Sequence, residues 1–152
     1  MRRGRTGERG FTQLELVVVL AIVALALAVV VPSVARTRAG LDLRSAAHEM
    51  ASHLRAVRAA AQRSNVERAM HIDAAARRYT AEGAAANAYL PASLHLELQL
   101  PDSERSGATA GRVRFFPDGS ASGGRIVLRD ARSTATVSVD WLNGDVRLQV
   151  RE

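Results

Sequence analysis

The stretch from Gly10 to Val31, GFTQLELVVVLAIVALALAVVV, decides how the rest of the chain is read. Residues 16–31 carry no charge, and counted from Phe11 the run holds a single charge, Glu15. A helix of that length spans roughly 31 Å at about 1.5 Å per residue, one hydrocarbon thickness of a bilayer. A helix apolar on every face is out of place in the core of so small a protein, so the segment is expected to enter a membrane. Ahead of it stand Arg2, Arg3, Arg5 and Arg9 against Glu8. That excess of positive charge places residues 1–10 in the cytoplasm and the remainder on the far side. A carboxylate inside such a span costs on the order of 2.5–3.5 kcal/mol if deeply placed. Glu15 therefore calls for a reason, unless it lies near the interface and snorkels outward.

Beyond the span, Leu43, Ala47, Met50, Leu54, Val57 and Ala61 recur at spacings of four and three, the apolar stripe of a helix. Arg44, Arg55, Arg58 and Arg63 fall off the stripe and read as a solvated face. No proline lies between Pro32 and Pro91, so one helix is expected to run outward to about Ser64–Asn65, with Pro32 permitting a kink. Short strands follow: 66–73, 77–82, 94–100, 112–116, 125–129, 135–141 and 145–150. Residues 83–88 and 101–111 are expected to be loops. Leu94, Leu96, Leu98 and Leu100 alternate with polar residues and face inward. Asp118-Gly119 and Asn143-Gly144 supply turn chemistry, the latter as a two-residue hairpin. Gly119, Gly123 and Gly124 permit backbone angles that other residues resist. The expected fold class is α+β, a long N-terminal helix packed on an antiparallel sheet domain. The expected divisions are a leader at 1–10, a transmembrane half-helix at 11–32, an amphipathic half-helix at 33–65 and a β-rich domain at 66–152.

The whole chain of 152 residues carries a formal +6, but the charge is uneven. Residues 1–10 hold +3, residues 33–79 hold +5 and residues 80–152 hold −1, which disfavours a general nucleic-acid-binding domain. Cysteine is absent, and with it disulfides, thiolate metal sites and cysteine nucleophiles. All 21 basic residues are arginine, which removes the lysine of phosphate loops and Schiff bases. His48 and His53 are one residue too far apart for a helical zinc pair, and His71 and His95 show no carboxylate company. Ala121 takes the nucleophile place in the glycine-serine run at 119–123. No catalytic residue, metal or cofactor is expected, and the chain reads as a non-enzyme.

Gly10-Phe11-Thr12-Gln13-Leu14-Glu15 after a short basic leader resembles the class III signal of type IV pilins and type II secretion pseudopilins. The resemblance implies cleavage by a prepilin peptidase between Gly10 and Phe11, methylation of the new Phe11 amino terminus, and a role for Glu15 in subunit register. Gln13 stands where the family commonly has an apolar residue. A second resemblance lies in Phe115–Leu128 together with Val139–Leu148, which are similar to the end of the H-type minor pseudopilin (GspH) and its FimT-like pilus relatives. Asp145 departs from the basic residue usual after the final turn glycine. These resemblances imply a minor subunit near the tip of a secretion pseudopilus, anchored in the bacterial inner membrane with its domain in the periplasm. The implied partners are other minor and major pseudopilins, the prepilin peptidase and membrane lipid. A FimT-like minor pilin for pilus assembly or DNA uptake is the alternative, which would need Arg112, Arg114, Arg125 and Arg147 to cluster in space. A periplasmic binding protein released by cleavage after Ser33-Val34-Ala35 is the alternative from a different class.

Overall fold

The computed structural model describes residues 13–83 and 86–151, with the side chains of 28–41 and of Ala86 outside that description. Gly10 and Phe11 lie outside the described residues. The molecule divides between Thr37 and Arg38 into two units. Helix α1, Gln13–Ser64, contributes to both. Pro32 falls within α1, where its side chain is outside the description.

In the first unit the described side chains from Gln13 to Leu27 are all exposed. Among the described residues no helix is long and apolar enough to cross a membrane; the apolar run continues from Ala28 to Val31, past the described side chains.

In the second unit the expected helical stripe is the centre of the core: Leu43, Ala47, Met50, Leu54, Val57 and Ala61 are each 0% exposed. The helix stops in a left-handed residue, Asn65 at φ 51°, while the Val66 amide donates back to the Ala61 carbonyl at 3.3 Å. That is a Schellman-type ending, with asparagine in the place usually taken by glycine.

Among the described residues eight antiparallel strands follow, β1 Arg68–Asp73, β2 Arg78–Ala81, β3 Ala86–Tyr89, β4 His95–Gln99, β5 Ala110–Phe115, β6 Gly124–Arg129, β7 Thr134–Val139 and β8 Val146–Arg151. They form two four-stranded sheets, ordered β3-β2-β1-β5 and β4-β6-β7-β8. Alternation decides which side chains turn inward: β5 and β7 each bury every second residue. Met70, Ile72, Tyr79, Val113 and Phe115 of the first sheet join Ile126, Leu128, Val137 and Val146 of the second in one cluster with the helical stripe. Two sheets packed with one helix make an α+β fold.

Three expectations give way. The 83–88 loop contains most of β3, whose alanine-rich sequence lacks the β-branched residues that announce a strand; it is a strand because β2 pairs with it. The 101–111 loop holds a 3-10 turn, Asp102–Glu104, and the start of β5. Asn143-Gly144 does not close a two-residue hairpin, because Val139 pairs with Val146 and leaves residues 140–145 as the connection. There the Asp140 carboxylate accepts from the Leu142 amide at 2.9 Å, and the Gly144 amide reaches the Asp140 carbonyl at 3.0 Å. Asp140 thus builds a wider turn than the asparagine-glycine pair would make alone.

Candidate functional site

The features that could serve function are surfaces and the devices that fix them. Glu15 sits exposed in the first turn of α1, where the helix dipole favours an acid. Around it stand Leu14, Leu16, Val17 and Val18, between 49% and 77% exposed. Together they form a continuous exposed apolar surface on the described part of the first unit.

The two turns singled out in the sequence meet over the last turns of α1. In the first, the Phe116 carbonyl accepts from the Gly119 amide at 2.9 Å, and the Asp118 carboxylate accepts from both the amide and the hydroxyl of Ser120. Those two bonds, the hydroxyl's first, hold the Asp118 carboxyl below its usual range. Gly119 has φ +91°, and a Cβ there would stand 2.6 Å from the Gln62 amide nitrogen. Gly144 has φ +64°, and a Cβ would press on the Gly119 carbonyl and lie 2.9 Å from Arg58 Nε. Gly123 lies against Trp141 and Gly124 against Leu100 at the entry to β6. Asn143 accepts from the Asp145 amide at 2.9 Å.

Two arginines that read as a solvated face fasten this arrangement. Arg58 donates to the Gly119 carbonyl at 3.2 Å and Arg55 to the Val146 carbonyl at 2.8 Å. Off-stripe position gave no sign of this, because the carbonyls they satisfy arrive from about sixty and ninety residues away in sequence, and closing such loops is a tertiary matter.

Sequence reasoning also missed Glu104, which is 2% exposed. Arg112 donates to it at 3.0 Å and Arg114 through both Nε and Nη2, while Arg114 Nη1 also reaches Glu67 at 3.1 Å. Burial pushes the Glu104 carboxyl up, but the hydrogen bonds from Arg114 and Arg112 outweigh it and hold the group below its ordinary range. Of the four arginines of the DNA-uptake alternative, two stand on each sheet. Arg112 and Arg114 of β5, in the first sheet, are tied to Glu104 and Glu67, and Arg125 and Arg147 belong to the second sheet.

The histidines divide. His53 Nδ1 lies 2.9 Å from the buried Tyr79 hydroxyl, whose pKa burial pushes well up. His71 does have carboxylate company, Glu82 at 3.0 Å across the β1–β2 pairing, which the intervening turn hid from the sequence. Among the described residues no three His, Asp or Glu side chains are grouped to hold a metal.

A family model for type II transport protein GspH matches residues 46–143. The chain belongs to the GspH family. Type II secretion system protein H of Xanthomonas campestris is 33% identical to this GspH-family chain over 139 residues, 91% of this chain and 82% of the relative. Among solved structures, the minor pseudopilin EpsH from the type 2 secretion system of Vibrio cholerae shares the fold at a TM-score of 0.58 and 14% identity, over 71% of this chain and 96% of its own. The matched region, 46–143, holds the buried stripe from Ala47 onward, Glu104 and the Gly119 turn, so the family signature lies in the second unit.

Proposed function

We propose that this chain is a minor pseudopilin of a type II secretion pseudopilus, standing near the filament tip and assisting protein export across the outer membrane by shape and packing, with no reaction of its own. In this reading a prepilin peptidase removes residues 1–10 after Gly10, and Phe11 becomes the N-methylated first residue. The apolar half of α1 is held in the inner membrane before assembly, and residues 66–152 form a periplasmic domain carried on the amphipathic half-helix. Inside the filament the same apolar surface packs against other minor and major pseudopilins, and Pro32 lets the two halves bend.

The observation that carries the proposal is the uncovered surface from Leu14 to Leu27 with Glu15 in its first turn, on a chain whose family is that of a transport-machine subunit. Lipid and then neighbouring helices supply the cover that the chain itself does not. A charge at that level is costly alone, and the α-amino group of a trimmed neighbour is an equally costly charge of opposite sign. Pairing the two offsets both costs and fixes axial register.

Glu15→Ala tests this in cells that assemble the filament. Wild-type chain should co-purify with sheared filaments, and the variant should remain in the membrane fraction at normal abundance. Incorporation of Glu15→Ala at the wild-type level would contradict the proposal.

A further inference from the structure

The −1 carried by residues 80–152 hides a strong segregation of charge. Its acids are used locally: Asp118, Asp130 and Asp140 accept from amides of their own turns, Glu104 is buried against two arginines, and Glu82 takes the Ala69 amide and His71. The arginines of the second sheet stay on its outer face. Registers align Arg125, Ser138 and Arg147 in one row across β6, β7 and β8, and Arg129, Thr134 and Arg151 in another. Arg147 leans on Asp145 at 2.9 Å and Arg129 on Glu97 at 3.1 Å, and both remain more than half exposed. Among the described residues no carboxylate lies in ion-pair reach of Arg125 or Arg151.

The same face ends in an open strand. β8 is the last strand of its sheet, with β7 on one side and no strand among the described residues on the other. The Asp140 amide bonds to the Asp145 carbonyl, so by antiparallel alternation the odd-numbered residues of β8 direct their backbone groups to β7. Val146, Leu148 and Val150 direct theirs to the open edge. The Val146 carbonyl is taken there by Arg55, which leaves Leu148 and Val150 as the edge's template. Their side chains lie on the inner face, and Val150 is 36% exposed at the margin of the core.

We propose that the open edge of β8 is a docking site for an extended acidic segment of a partner protein, which adds as a further strand. Such a strand places alternate side chains beside Arg147 and Arg151, four residues or about 13 Å apart along the strand. Carboxylates at positions i and i+4 meet the two arginines, and apolar residues at i+1 and i+3 extend the face of Leu148 and Val150. A second copy of this chain is the wrong occupant, because it brings four more arginines to a face that already has four. Nucleic acid would answer the charge but makes no use of the strand's N–H and C=O groups. The inference goes beyond the filament role and does not depend on how the N-terminus is processed.

The test uses the full chain in non-ionic detergent and a fluorescent peptide with the core Asp-Val-Thr-Val-Asp, read by anisotropy. Binding should weaken about tenfold in the double variant Arg147→Glu/Arg151→Glu. A Lys-Val-Thr-Val-Lys peptide should recover it on that variant, which separates lost charge from lost fold. N-methylation of the peptide amides that face β8 should abolish binding to the wild-type protein, since strand addition needs those donors. Absence of binding, indifference to N-methylation, or displacement of the peptide by a lower concentration of duplex DNA would each overturn the proposal.

Discussion

Helix α1 carries apolar side chains through both of its halves, and the two halves meet opposite conditions. From Leu43 to Ala61 the chain covers its own stripe with two sheets, and six of its residues are left with no exposure at all. From Leu14 to Leu27 the large apolar residues stay between 47% and 77% exposed. Composition cannot account for the contrast, since leucine and valine occur in both. The pattern does: the second half keeps its apolar residues to one face and sets arginine and serine on the others, as a helix does beside a sheet. The first half is apolar all round, which suits surroundings that are apolar all round.

The largest expected difference between the halves is the cost of deleting one leucine. Leu54→Ala should destabilise the folded domain by about 2–5 kcal/mol, because it opens a cavity in a packed core. Leu20→Ala should leave denaturant unfolding of the domain within about 0.5 kcal/mol of wild type. Comparable losses at both positions would erase the distinction between a covered and an uncovered half.

A second contrast within the domain concerns Glu104. Arg114→Ala leaves a buried carboxylate with Arg112 as its remaining arginine and should cost about 3 kcal/mol in urea melts. The folded carboxyl lies below its ordinary range, so its contribution to stability is fully present above the unfolded value of about 4.3. That contribution is lost as pH falls through the lower folded value. Glu104→Gln should therefore flatten the acid limb of the stability profile relative to wild type. An unchanged acid limb would show that the network is not the source of the dependence.

Smaller again is the effect at the turns. Gly144→Ala forces a side chain into the left-handed region at φ +64° and against the Gly119 carbonyl, and should lower stability by about 1–3 kcal/mol. A neutral result would mean that the turn relaxes away from Arg58 without cost.

Much of this was legible in the sequence wherever one residue's environment is set by near neighbours. The stripe from Leu43 to Ala61 is a local period, and the strand around Leu94–Leu100 is a local alternation, so both could be read directly. What stayed hidden depends on chain segments that meet only in three dimensions. β3 is a strand because β2 offers it a ladder; Arg55 and Arg58 are fasteners because distant carbonyls arrive beside them. Glu104 lies in a stretch that looks like polar loop, and only the arginines of β5 make it a buried ion. Charge was misleading for the same reason, since a segment total of −1 says nothing about which face holds the arginines.

In the proposed role the exposed half of α1 belongs to a processed, assembling subunit. Mass spectrometry of the N-terminal peptide from membrane-extracted protein tests it most directly, in cells that possess the prepilin peptidase. The expected result is a peptide beginning at N-methylated Phe11. A peptide that still carries Met1–Gly10, or a mature chain that begins at Arg36 and is absent from the membrane fraction, would contradict it.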